Sequence, residues 1–477
     1  MDCRSQLSRF RCLVIERHQL YAHFIRRALY NLGINTVRIE ASLSAALKTL
    51  DRSQYDLIIA DWELKDKDTG LSLIQSLPEK QRDMFSIIYT CNDQSRSQLS
   101  AAMSEGPEEL ILHPISMNVL KNHIIRGCQN YLETLGIRRL LNERDMDMAM
   151  VHCEDLMDRD DLVGYWASRK LTEIYRHFSN FKSVERISRA FLQKRNAEWV
   201  RIALINALHE QESHDEALIE AKEYVDSCIY SAQPHQLLGK SHYLLGEKDR
   251  ALSAYEKARR LDPRDFNTLM SCASISMELG MHEKSITIYK RALQVAASSK
   301  NETPELYIKL VNVIQKRGDD SSMMPSSSNI KSPLEDACDI IVQGARRFPQ
   351  DPMIQIYRAI LTSKREDMKG NRNAARMILS STLYSCEPFM HRNLGAASDF
   401  LLAMNAIGNY KQSRDLIHRL EISGPLEELS DVKKEIAIIE ADYNAARSSA
   451  NHNMTINKRN LSPQNPQRIS TRTQYAA

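Results

Sequence analysis

The first 130 residues alternate short apolar runs with amphipathic stretches, and few folds accommodate that order. The apolar runs are Cys12–Ile15, Val37–Ile39, Leu57–Ala60, Ser86–Tyr89 and Leu110–Leu112. Between them the spacing predicts helices over Leu20–Leu32, Ser42–Asp51, Gly70–Leu77 and Gln94–Glu105, with a further helix over Met117–Gln129. Strands separated by helices pair in parallel, because each crossover carries the chain back to the starting edge of the sheet. Residues 9–130 therefore predict an α/β doubly wound domain of five parallel strands with helices on both faces.

After Tyr131 the strand signal ends, and residues 136–448 read as consecutive helices with a recurring spacing. One segment runs Leu238, Gly239, Gly246, Ala251, Tyr255, Ala258, Pro263; the next runs Cys272, Ala273, Gly280, Ser285, Tyr289, Ala292, Ala297. Small residues stand where two helices must touch, and an aromatic fills the adjoining groove. This period and pattern resemble the tetratricopeptide repeat. The match is fullest over 232–265, then 266–299, and thins upstream over 198–231 and 164–197. Pro304–Lys316 and the stretch through Ala337 and Pro349 make a unit split by a polar insert, 318–333. Residues 352–385 and 391–422 read as two more helix pairs, and 425–447 as a capping helix. The resemblance implies an all-α superhelix whose concave face binds a protein or peptide. Residues 449–477 contain no Asp or Glu and read as a disordered basic tail.

Asp61 closes the run Tyr55–Asp61 and is followed by Trp62 and a charged loop. A carboxylate at the carboxyl end of a buried parallel strand lies where open α/β sheets place their ligands. Glu16 and Arg17 follow the first run, Glu63 lies just beyond Asp61, Thr90 ends Ile-Ile-Tyr-Thr, and His113-Pro114 follows the fifth run. On these residues the domain resembles the flavodoxin-like receiver of bacterial two-component response regulators. The resemblance implies that Asp61 is the phosphoacceptor of a histidine kinase. It implies that Glu16, Asp61 and the backbone at Glu63 hold Mg²⁺, that Thr90 is the switch hydroxyl, and that Pro114 follows a cis bond.

The sequence departs from the family pattern at two pocket positions. Arg17 stands where the second acid belongs and His113 where a lysine belongs; Leu110 also replaces a frequent aromatic. Mg²⁺ needs hard oxygen ligands in near-octahedral array, so losing a carboxylate and gaining a guanidinium weakens it. His113 matches the lysine's charge only when protonated. Arg17 could instead grip a phosphoryl group, or hold Asp61 in a standing ion pair. Two readings stay open: a slowly phosphorylated switch, and a pseudo-receiver adaptor that docks proteins without phosphorylation.

The net charge of +3 sets up no strong field for nucleic acid. A nucleic-acid-associated regulator, supported only by the tail and by stretches such as Arg186–Arg195, is a lesser alternative. Nine scattered cysteines without Cys-x-x-Cys spacing suit buried thiols in the cytoplasm. The opening Met-Asp-Cys-Arg-Ser carries no secretory h-region, and no apolar run is long enough for a membrane span. His18 with His23, and His209 with His214, read as surface residues rather than metal ligands. No catalytic motif appears, so the expected chemistry is at most phosphoryl acceptance and self-dephosphorylation at Asp61. The expected partners are a histidine kinase or another regulator at the receiver, and a protein or peptide at the repeats. A homodimer is also open, since both families often dimerise.

Overall fold

The computed structural model describes residues 6–64, 70–92, 109–228, 231–297, 299, 301–319 and 332–421. The chain forms two units, Met1–Gly280 and Met281–Ala477.

The first unit opens with β1 (Arg11–Ile15), β2 (Thr36–Glu40), β3 (Leu57–Asp61), β4 (Ser86–Cys91) and β5 (Glu109–Leu112). Their order is β2-β1-β3-β4-β5, and every pairing is parallel. Side chains alternate across the sheet. Cys12, Val14, Leu57, Ile59, Ile88 and Ile111 face α1 (Gln19–Asn31) and the start of α5 (Met117–Glu143). Leu13, Ile15, Ile58, Ala60, Tyr89 and Cys91 face α2 (Leu43–Arg52) and α3 (Gly70–Ser76). Both faces are thus covered, which is why the inner strands β1, β3 and β4 are largely apolar, whereas the edge strand β2 carries Arg38 and Glu40. Ser42 caps α2 by accepting from the Ala45 N–H. A short α4 (Glu79–Arg82) precedes β4. The helix expected over Gln94–Glu105 lies outside the described residues.

The sequence spacing ends the fifth helix at Gln129, whereas α5 runs unbroken for 27 residues to Glu143. No proline interrupts residues 130–143, and Tyr131, Thr134, Ile137 and Arg138 continue a buried stripe. At about 1.5 Å per residue the helix is ~40 Å long. It stops where Arg144 turns left-handed at φ 64° and Asp145 caps the next helix.

α6 (Met146–Leu156), α7 (Leu162–His177), α8 (Phe181–Lys194), α9 (Glu198–Glu210), α10 (His214–Ser227), α11 (Ala232–Leu244), α12 (Lys248–Leu261) and α13 (Phe266–Glu278) complete this unit. In the 232–265 pair, Gly239 lets α11 close onto α12: a Cβ there would lie 2.7 Å from Tyr255 Cδ2. Gly246 makes the turn between them at φ 80°. His209 departs from the surface reading. It is 5% exposed, its Nδ1 lies 3.3 Å from His214 Nδ1, and its Nε2 lies 3.0 Å from Ser241 Oγ. Packing of α9 against α11 buries a residue that spacing alone assigns to the surface.

The second unit contains α14 (His282–Ala296), α15 (Pro304–Asp319), α16 (Pro333–Arg347), α17 (Pro352–Met368), α18 (Arg372–Met390), α19 (Leu394–Ala406) and α20 (Tyr410–Glu421). The polar insert is narrower than its sequence signal. Gly318 and Asp319 finish α15, and Pro333 opens α16 behind a capping box between Ser332 and Glu335. The rest of the insert, the 425–447 segment and the 449–477 tail lie outside the described residues. Among the described residues no helix is long and apolar enough to cross a membrane.

Candidate functional site

The winding of the sheet reverses between β1 and β3, which lie side by side at its centre. The crevice beyond their carboxyl ends is where doubly wound sheets bind ligands. Asp61 is the last residue of β3, and Glu16 follows β1 directly. Both are buried, at 0% and 3% exposure. Thr90 on β4 pairs with Asp61 in register and is fully buried. The strand register therefore sets the hydroxyl beside the carboxylate.

Asp61 Oδ1 accepts a weak hydrogen bond from the Glu63 N–H at 3.3 Å. Oδ2 is buried and takes no hydrogen bond from the described residues, and the same holds for Thr90 Oγ1. Among the described residues the nearest cation is Arg17, whose Nε stands 4.0 Å from Oδ2. Arg17 gives its closer contact to Glu63, with Nη2 at 3.2 Å from Oε2. The guanidinium thus lies at the rim of the crevice and is shared between two acids. Glu16 Oε1 accepts from the His18 N–H at 2.8 Å.

This arrangement leaves the central carboxylate poorly compensated. Burial, and next the nearby Glu16 charge, push the Asp61 carboxyl up to about 7; the Glu63 N–H and Arg17 pull only partly against them. Burial also raises Glu16. A buried carboxylate oxygen without a donor is costly unless a cation or proton meets it.

That orphaned oxygen is the feature that would suit a divalent cation, with Glu16 and Asp61 as its two carboxylates. The fit is partial. Glu63 turns its carboxylate to Arg17, and among the described residues no three His, Cys, Asp or Glu side chains gather as a metal cluster.

The His113–Pro114 peptide is cis. His113 is 8% exposed, and its ring meets Tyr21 edge-on at 4.7 Å. Burial lowers its pKa, so the imidazole is neutral near pH 7 and does not supply the charge of a lysine. Tyr21, from the first helix, is a neighbour that no spacing rule singles out.

Trp62 is buried and meets Tyr89 in a T-shaped contact at 5.2 Å. The Tyr89 hydroxyl donates to the Gly70 carbonyl at 2.9 Å. A Cβ on Gly70 would come within 2.5 Å of Tyr89 and 2.7 Å of Trp62. The wall beside Asp61 thus depends on two rings and one glycine. Leu110 pairs with Tyr89 across β4 and β5, so an aromatic lies one strand inward of the frequent family position.

Residues 12–125 match the response regulator receiver domain family, and residues 232–265 match the tetratricopeptide repeat family. No curated protein matches the chain. Among solved structures, a tetratricopeptide repeat protein from Parabacteroides merdae is 16% identical, with 57% of this chain and 96% of that one covered and a TM-score of 0.38. The C-terminal part of a repeat-containing protein from Cytophaga hutchinsonii is 11% identical, with 56% and 98% covered and a TM-score of 0.42. The chain consists of an N-terminal response regulator receiver domain followed by a long all-helical region that carries a tetratricopeptide repeat.

Proposed function

We propose that the protein is a response regulator whose receiver accepts a phosphoryl group at Asp61 and whose repeats bind a protein or peptide as output. The observation that carries this reading is the buried, unbonded Asp61 Oδ2 in the crevice, with Thr90 in register beside it. An Asp61 carboxylate oxygen would form the new P–O bond. The bond from phosphorus to the donor's leaving group would break, and its electron pair would depart with the donor, a phosphohistidine of a kinase. Thr90 Oγ1 would donate to the arriving phosphoryl oxygen, and Arg17 would swing from Glu63 to the same group. Glu16 and Asp61 would hold Mg²⁺, whose charge would offset that of the phosphoryl group. Chemistry beyond acceptance and self-dephosphorylation is not part of the proposal.

Two features set the pace. Asp61 is fully buried, so the crevice must open to admit a donor. Its raised pKa also leaves only part of the population ionised at neutral pH. Burial is thus the main brake, and Mg²⁺ bound beside Asp61 would favour the ionised carboxylate that accepts the phosphoryl group. The test is intact-mass measurement of the full chain after incubation with acetyl phosphate and Mg²⁺. The expected result is one added phosphoryl group, absent from Asp61→Asn. An unmodified wild type, with Arg17→Asp also unmodified, contradicts the proposal.

A second reading is a pseudo-receiver adaptor that works by docking alone. It draws on Arg17, already lodged at the rim, and on the neutral His113. Under it, Asp61→Asn leaves every partner affinity unchanged.

A further inference from the structure

We propose that buried Arg138 ties the receiver's two signalling strands to helix α7, so that a change of state at Asp61 is felt in the helical region. The inference rests on the receiver reading above. Asp61 is the last residue of β3 and Thr90 the last but one of β4, and both strands are anchored at their opposite ends. Asp56, just before β3, accepts from the Arg11 N–H at 2.9 Å through Oδ2 and from the Tyr131 hydroxyl at 3.0 Å through Oδ1. Asp83 and Phe85, just before β4, offer their carbonyls to Arg138 Nη1 at 3.1 and 2.7 Å.

Tyr131 and Arg138 both belong to α5. Arg138 is 1% exposed, and its Nε donates to Thr134 Oγ1 at 2.8 Å. Its guanidinium carbon lies 5.4 Å from the Tyr131 ring and 4.5 Å from the Trp166 ring of α7. One α7 turn further on, Lys170 pairs with Asp83 and with Glu173. One planar cation therefore bonds the segment leading into β4, touches the tyrosine that holds the segment leading into β3, and stacks on α7. A strand of five residues spans only about 16 Å. Displacing Asp61 or Thr90 along its strand therefore displaces the anchored end, and the stiff fork of Arg138 passes that displacement to the indole. A flexible linker would absorb it, but α5 is continuous helix through this region.

The chain contains three tryptophans, of which Trp62 adjoins Asp61 and Trp166 lies on Arg138. Labelling the full chain with 5-fluorotryptophan gives separate fluorine resonances, assigned by single Trp→Phe substitutions. The probe is beryllofluoride with Mg²⁺. The expected result is a shift of both Trp62 and Trp166 in the wild type and of neither in Asp61→Asn. In Arg138→Met the Trp62 shift persists and the Trp166 shift is lost. Arg138→Lys, which keeps the charge without the fork, serves if the methionine variant does not fold, and should greatly reduce the Trp166 shift. A Trp62 shift without a Trp166 shift overturns the coupling and leaves the receiver reading intact. A Trp166 shift that survives both Arg138 variants also overturns it. Silence at both tryptophans, in the wild type and in Arg17→Asp alike, defeats the receiver reading, and the coupling with it.

Discussion

Asp61 is held at a cost to the fold, and the sign of that cost is testable. Its carboxyl is raised to about 7 in the folded chain, against about 4 when unfolded. Below pH 4 both states bind the proton and the term vanishes. As pH rises from about 4 through 7, the unfolded state ionises freely while the folded state resists, so stability falls. Asp61→Asn removes the term. It should be more stable than wild type at pH 8 by up to about 4 kcal/mol, three pKa units' worth before solvent screening reduces it, with the gap closing near pH 4, as read from urea unfolding at both pH values. Arg17 is the second lever. Arg17→Asp replaces the rim cation with a carboxylate and should tighten Mg²⁺ binding at least about tenfold, measured by calorimetry. Asp61, Glu16 and Thr90 are legible in the sequence because each sits at a fixed offset from the end of a strand. The preference of Arg17 for Glu63 over Asp61 is not, because it depends on side-chain reach across the crevice. Tyr21 on His113 escapes for the same reason: two rings from distant segments meet only after the first helix packs.

At the scale of elements, glycines and strand register do the positioning. Gly70→Ala would drive a methyl into Tyr89 and Trp62, so both rings must move. The expected loss is about 1–3 kcal/mol, with a changed Trp62 emission as its local signature. Gly239→Ala meets Tyr255 between α11 and α12, where helix propensity returns up to about 1 kcal/mol. Its net loss should be near 1 kcal/mol by thermal melting, with the receiver's own spectroscopic signals unchanged. The strands were legible because short apolar runs of strand length recur between helix-like stretches, and each falls within a residue or two of its sequence boundary. The end of α5 was not. Its buried stripe beyond Gln129 is made by Tyr131, Thr134, Ile137 and Arg138, and periodicity counts the polar Thr134 and Arg138 as surface. Their burial comes from α7 and from the segment before β4, contacts that no local window contains.

At the scale of the whole molecule, the receiver and the first helices belong to one unit, Met1–Gly280. A fragment ending at residue 130 lacks Tyr131 and Arg138, and with them the ties to Asp56, Asp83 and Phe85. A fragment ending at residue 143 keeps them. The longer fragment should melt at least about 5 °C higher, since each lost kcal/mol lowers the midpoint by several degrees in a domain of this size. Equal melting temperatures would mean that these contacts add nothing to the receiver. The two-part organisation was legible from the change of periodicity near residue 131, whereas the contacts of Arg138 with Trp166 and of Lys170 with Asp83 join residues too far apart in sequence for any local pattern to show. The central claim, that this pocket still takes a phosphoryl group, is most directly tested by titrating the full chain with beryllofluoride at fixed Mg²⁺ and following binding by calorimetry. The account predicts saturable binding that is weak in the wild type, tighter in Arg17→Asp and absent in Asp61→Asn. No binding to either the wild type or a folded Arg17→Asp would contradict it and leave the domain as a docking module.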